Sequence, residues 1–126
     1  MWEISQETTV SAVHQLRVRP SSSARDERVH GHKWRIKAVV QARELDANGW
    51  VLDFNELSAA LRTLVAPYEG VFLNEIAPFD DINPTRENIA RVVADKLAAT
   101  IDDGRVRVAR VEIWENETRC ATYFRG

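Results

Sequence analysis

The chain has 126 residues, 44% of them apolar and 29% charged, the profile of one globular domain rather than of a disordered or fibrous chain. Its formal net charge of −2 excludes a global field for nucleic acid or an anionic membrane, so any attraction for phosphate must be local. A single cysteine, Cys120, excludes an internal disulfide and a cysteine-based zinc module; no run reaches the roughly 20 apolar residues of a membrane span, and MWEISQETTV lacks the pattern of an export signal, so a cytosolic protein is expected.

From Thr8 to Leu16 apolar and polar residues alternate, with Val10, Ala12, His14 and Leu16 on one parity, which predicts a half-buried strand. The stretch RVRPSSSARDE is a loop marked by Pro20 and three serines. Alternation resumes from His32 to Gln41, placing His32, Trp34, Ile36, Ala38 and Val40 on one face and Lys33, Arg35 and Lys37 on the other. After a turn at Asp46–Gly49, Asp53 reads as a helix N-cap with Glu56 completing a capping-box pattern, and Phe54, Leu57, Leu61 and Leu64 fall at helical spacing until Pro67. The segment YEGVFLNEIAPFDDINP is a loop longer than a compact domain usually carries without a use for it.

A second helix begins at Thr85, with Ile89, Val92, Val93, Leu97 and Ile101 forming its apolar stripe, and stops at Asp102-Asp103-Gly104. Two alternating runs, 105–115 and 118–125, close the chain, and a parity shift near Ala109 and Arg110 suggests a bulge. The order is strand, strand, helix, helix, strand, strand: an α+β layer of four antiparallel strands with two helices on one face. Such a sheet leaves long edges uncovered, and pairing with neighbouring subunits is the natural remedy, so a homo-oligomer is expected.

All three histidines of the chain sit at strand ends. His30 and His32, two apart in VHGHKW, project to one side of an extended chain. If the first two strands pair antiparallel, His14 converges with them, and three neutral imidazoles with a fourth position open is the arrangement of a catalytic zinc. The competing reading, three solvated or singly hydrogen-bonded histidines, carries equal weight on spacing alone.

In order, SAVHQL, VHGHKW, GWVLDFNEL, FLNE, NPTRENIA and VEIWENE resemble the 6-pyruvoyltetrahydropterin synthase and 6-carboxytetrahydropterin synthase family over roughly residues 4 to 125. The resemblance implies a tunnelling fold (T-fold) over 1–126 as a single domain, with three subunits closing a barrel and two trimers stacking into a hexamer. It implies zinc on His14, His30 and His32, and a pterin pocket at a subunit interface. There Glu115 would accept the paired N–H donors of the pterin edge, as a bidentate carboxylate does from guanidinium. Thr85 and Glu87, from the PTxEN helix start, would lie beside it. The implied substrate is 7,8-dihydroneopterin triphosphate, and Arg17, Arg19, Arg25 and Arg28 are candidate cations for its phosphates, although a solvated basic loop accounts for them equally well.

The pattern breaks in two places. The family's synthases use a cysteine base ahead of HGH, where this chain reads ARDERV with Asp26 in place of any cysteine. The family's aspartate–histidine pair before the LN dipeptide falls on Glu69 and Gly70. The chain does match the ExxHGH pattern of one subgroup, through Glu27, which implies carbon–carbon cleavage to 6-hydroxymethyl-7,8-dihydropterin with a carboxylate as general base. An ordinary surface glutamate within a DER charge cluster is the competing reading of Glu27. Two functions therefore stand open: a zinc-dependent lyase or synthase using Glu27 or Asp26, with Glu69 assisting, and a zinc- and pterin-binding member with a binding or regulatory role.

Overall fold

The computed structural model describes residues 1–17 and 28–126. Strands β1 (Trp2–His14), β2 (His30–Ala42), β3 (Val106–Asn116) and β4 (Arg119–Phe124) form one sheet in that order, every neighbouring pair antiparallel. Helices α1 (Phe54–Val65) and α2 (Arg86–Ile101) come between β2 and β3. The ββααββ order is as the sequence predicts; β1 starts earlier than its alternation suggests and ends at His14 rather than Leu16.

The side-chain parity of the strands decides which face is covered. Val10 and Ala12 of β1, Trp34, Ile36, Ala38 and Val40 of β2, and Val111 and Ile113 of β3 are buried on the helix face. They meet Leu57, Leu61 and Val65 of α1 and the full predicted stripe of α2, from Ile89 to Ile101. The opposite face carries ion pairs instead, Arg35 with Glu7 and Glu117, and Arg110 with Glu3 and Glu112. Val39 pairs with Arg110 and Val40 with Val108, so Ala109 is the extra residue of a bulge, where the parity shift placed it.

Asp53 caps α1 as predicted, and Thr85, where the second helix was expected to begin, is the N-cap of α2, which starts at Arg86. Asp53 accepts from the N–H of Asn55 at 2.8 Å, and Thr85 accepts from Asn88 at 3.1 Å. The Asp53 bond goes to the second helical residue rather than to Glu56. Phe54 departs from the predicted apolar stripe: it is half-exposed at the first turn, beside the exposed Trp2 and Trp50 around a cleft of about 590 Å³. The buried residues of α1 begin one turn later, at Leu57.

The long connection between the helices has structure of its own. It holds two short 3-10 turns, Ala66–Tyr68 and Leu73–Glu75, and buries Leu73 and Phe79 in the core. Gly70 donates to the Ser11 carbonyl at 2.6 Å and Val13 donates to the Val71 carbonyl at 3.0 Å, so residues 69–72 run along the outer edge of β1. This draws the connection to the end of the sheet where the histidines lie.

Candidate metal centre and its surroundings

Strand register brings the histidines together. His14 pairs directly with His30 across β1 and β2, and Ala12 pairs with His32. His14, His30 and His32 all project from the helix face at the open end of the two strands. Their ring centroids are 4.6, 5.1 and 4.5 Å apart, and their ligand nitrogens all lie within 4.8 Å of one another. His14 is fully buried. Trp34, also buried, forms the wall beneath: its indole stacks on the His32 ring at 5.4 Å and meets the His14 ring edge-on at 5.0 Å.

Hydrogen bonds set the tautomers. His14 Nδ1 lies 2.8 Å from the Pro84 carbonyl and His30 Nδ1 lies 2.6 Å from the Arg28 carbonyl. A carbonyl can only accept, so each Nδ1 carries the hydrogen and each neutral ring turns an Nε2 lone pair inward. The two Nε2 atoms are 3.0 Å apart. Facing lone pairs repel unless a proton or a cation lies between them. Two imidazole ligands of a tetrahedral zinc, with Zn–N near 2.05 Å, stand about 3.3 Å apart, close to this separation. The third ring directs Nδ1 toward the Glu115 carboxylate at 3.5 Å. Ring nitrogens held by carbonyls or a carboxylate on the outer side are what metal-ligating histidines require. Burial holds the His14 imidazole below its ordinary pKa; the Pro84 bond opposes this, while His30, His32 and Arg86 reinforce it. The neutral ring, the form that ligates, is favoured. The residues present therefore fit a borderline divalent ion with three nitrogen ligands.

Glu115, near the end of β3, also lies 3.5 Å from Arg86 through the same oxygen, Oε1. Its other oxygen, Oε2, is buried and has no hydrogen-bond partner among the described residues. Thr85 caps α2 between Pro84 and Arg86, so one short turn carries the acceptor for His14, the helix cap and the cation beside Glu115. Arg86 was missed by sequence reasoning. A signal for it existed: a cation in the first turn of a helix opposes the helix dipole and calls for a nearby carboxylate.

The other predicted residues are placed less centrally. Glu87 is exposed on the first turn of α2. Glu69 is tied to the edge of β1, accepting from the Ser11 N–H at 2.9 Å, and does not belong to the metal-capable cluster. Gly70 has φ +70°, a left-handed conformation that a histidine would adopt at a cost of about 1–2 kcal/mol. Arg17, a candidate phosphate cation, donates from Nη2 to the Phe79 carbonyl at 3.1 Å, with Nη1 buried. Arg28 supplies its carbonyl to His30. Asp26, Glu27, Arg19 and Arg25 lie outside the described residues. Cys120 is exposed on β4. Among the described residues no helix is long and apolar enough to cross a membrane.

Comparison with known proteins identifies the family and the fold. The family model for 6-pyruvoyl tetrahydropterin synthase matches residues 3–126. The chain is 33% identical to 6-carboxy-5,6,7,8-tetrahydropterin synthase of Synechocystis, over 98% of this chain and 94% of that protein. It is 27% identical to the Bacillus subtilis protein of the same name, over 93% and 80% of the two chains. Among solved structures, 6-pyruvoyl tetrahydropterin synthase of Caenorhabditis elegans superimposes with a TM-score of 0.85 at 21% identity, covering 99% of this chain and 96% of that one. The Plasmodium vivax enzyme of that name gives 0.77 at 17% identity, covering 99% and 98%. With the sheet order, the paired helices and a match running almost end to end, this chain belongs to the 6-pyruvoyl tetrahydropterin synthase family.

Proposed function

We propose that this chain is a zinc-dependent pterin lyase or synthase acting on 7,8-dihydroneopterin triphosphate. The observation that carries the reading is the histidine cluster, in which two Nδ1–H groups are fixed by carbonyls and two Nε2 lone pairs face each other at 3.0 Å. His14, His30 and His32 would hold the ion, which when bound supplies Lewis acidity to substrate oxygens. Glu115 would receive the amino and ring N–H donors of the pterin. Its buried Oε2, without a partner among the described residues, supports that role, since such an acceptor is costly until a donor meets it. Thr85 and Glu87 would flank the ring from the start of α2.

Glu27, or Asp26 beside it, would take a proton from a side-chain hydroxyl of the substrate, with Glu69 assisting from the edge of β1. In two structures of the Plasmodium vivax synthase the catalytic residue altered is a glutamate, which favours a carboxylate in this role. The product is a 6-pyruvoyl- or 6-carboxytetrahydropterin, or, by side-chain cleavage, 6-hydroxymethyl-7,8-dihydropterin. The assembly we infer is a cytoplasmic homo-oligomer, two trimers of one 1–126 domain each. Its support is that β4, and β1 before Ser11, have outer edges with no sheet partner among the described residues.

A second reading keeps the zinc and pterin sites but no chemistry, leaving a binding or regulatory member. Glu69 held by the Ser11 N–H and a left-handed Gly70 favour it, because segment 69–70 then supplies no proton relay. The deciding experiment incubates zinc-loaded protein with 7,8-dihydroneopterin triphosphate and identifies products by mass, with Glu27→Ala in parallel. Turnover lost in Glu27→Ala supports the lyase; full turnover removes Glu27 from the mechanism. Binding without turnover by the unaltered protein selects the second reading, and absence of binding sinks both.

A further inference from the structure

The outer edge of β1 and of the three residues after His14 is engaged at every second residue. Ser11 is held by Glu69 and Gly70, and Val13 by Val71. At Gln15 and Arg17 the partner is no longer backbone. Asn74 accepts from the Gln15 N–H at 2.9 Å and donates to the Gln15 carbonyl at 2.8 Å. Asn83 does the same at Arg17, with both bonds 2.8 Å. Each side-chain amide copies the donor–acceptor pair of a neighbouring strand, and residues two apart present these groups to the same side.

Asn83 is fixed in turn. Its carbonyl accepts from the Thr85 N–H at 2.8 Å and from Asn88 Nδ2 at 2.9 Å, which ties it to the capped start of α2. The next residue, Pro84, is the one whose carbonyl takes the His14 Nδ1–H. One dipeptide therefore holds the strand three residues beyond His14 through a side chain and the His14 ring itself through a carbonyl.

We infer that Asn83, seconded by Asn74, is a positioning residue for the metal centre, an inference that rests on the metal reading above. Asn83 keeps the Pro84 carbonyl against the His14 ring, and so keeps that ring in the tautomer that turns Nε2 toward the other two. Asn74 holds the same segment one step nearer. Neither residue needs to touch the ion. Their effect passes through the Nδ1–H bond, an outer contact whose loss typically weakens metal affinity about tenfold to a hundredfold.

The test uses cobalt(II) as probe, with its absorption bands reporting the ligand set and its titration giving Kd. Asn83→Ala, Asn83→Asp and Asn74→Ala are compared with Asp53→Ala, which removes a helix cap remote from the site. The expected result is a Kd raised about tenfold or more in Asn83→Ala, with altered bands. Asn83→Asp, which keeps the acceptor for Arg17 N–H, should show a smaller rise. Asp53→Ala should melt earlier with an unchanged Kd. A folded Asn83→Ala with the unaltered Kd and spectrum overturns the inference, as does an equal loss in Asp53→Ala. If Asn83→Ala fails to fold, Asn83→Asp decides, and an unaltered Kd there overturns it. Failure of the unaltered protein to bind cobalt(II) is a separate outcome: it removes the metal reading, and this inference with it.

Discussion

Trp34 offers a sharp test of how the site is supported. Its side chain is 1% exposed, stacks on His32, meets His14 edge-on, and has an indole N–H with no hydrogen-bond partner among the described residues. Trp34→Ala removes the whole wall and should cost about 3–5 kcal/mol. Trp34→Phe is different. It opens a void of about 40 Å³, which at roughly 24 cal/mol per Å³ costs about 1 kcal/mol. It also removes a buried donor unsatisfied among the described residues, a relief of about 1–3 kcal/mol. The two terms leave Trp34→Phe between neutral and about 2 kcal/mol more stable than the unaltered chain. Urea unfolding followed by circular dichroism, in chelator and at one protein concentration, measures this with metal removed and any contribution of assembly held constant. A Phe variant destabilised by more than about 2 kcal/mol would mean that the indole N–H has a partner, and the reasoning fails.

Other outcomes follow from the same contacts. An ion at a hundredfold excess over its Kd stabilises by about 2.7 kcal/mol, so chelation should lower the melting temperature by on the order of 10 °C, and His30→Ala should abolish that difference. Identical melts of the unaltered protein with and without chelator would rule the metal out. Asp53→Ala should lose about 1 kcal/mol with the cap to Asn55, read from chemical denaturation; no loss would show that the cap is idle. Asp103 accepts N–H bonds from Val106 and Arg105, which hold its carboxyl below the ordinary aspartate value; burial opposes this weakly, and the Arg105 charge reinforces it. Its folded pKa is depressed, so its stabilisation is present above the unfolded value and is lost as pH falls through the folded one. Asp103→Asn should therefore flatten the acid limb of a stability–pH curve, and an unchanged limb refutes the assignment.

Much of this protein is written in local pattern. Alternation along Val10–His14 and His32–Val40 sets which side chains face the helices. The parity break at Ala109 marks the bulge, and the two-residue spacing of His30 and His32 puts both rings on one side. These features were legible because strand and helix periodicities are properties of neighbouring residues. Tertiary structure alone decided the rest. The Pro84 carbonyl reaches His14 across 70 positions of sequence, Asn83 holds Arg17 across 66, and Asn74 holds Gln15 across 59. Arg86 meets Glu115 only because α2 starts where β3 ends. Phe54 has the spacing of a core residue and stays half-exposed beside the cleft it shares with Trp2 and Trp50. A hydrogen bond between distant residues leaves no period in the sequence. Spacing thus put His30 and His32 on one side and left their grouping with His14 open, to be supplied by the family resemblance, whereas the groups that orient the three rings emerge only when the chain folds.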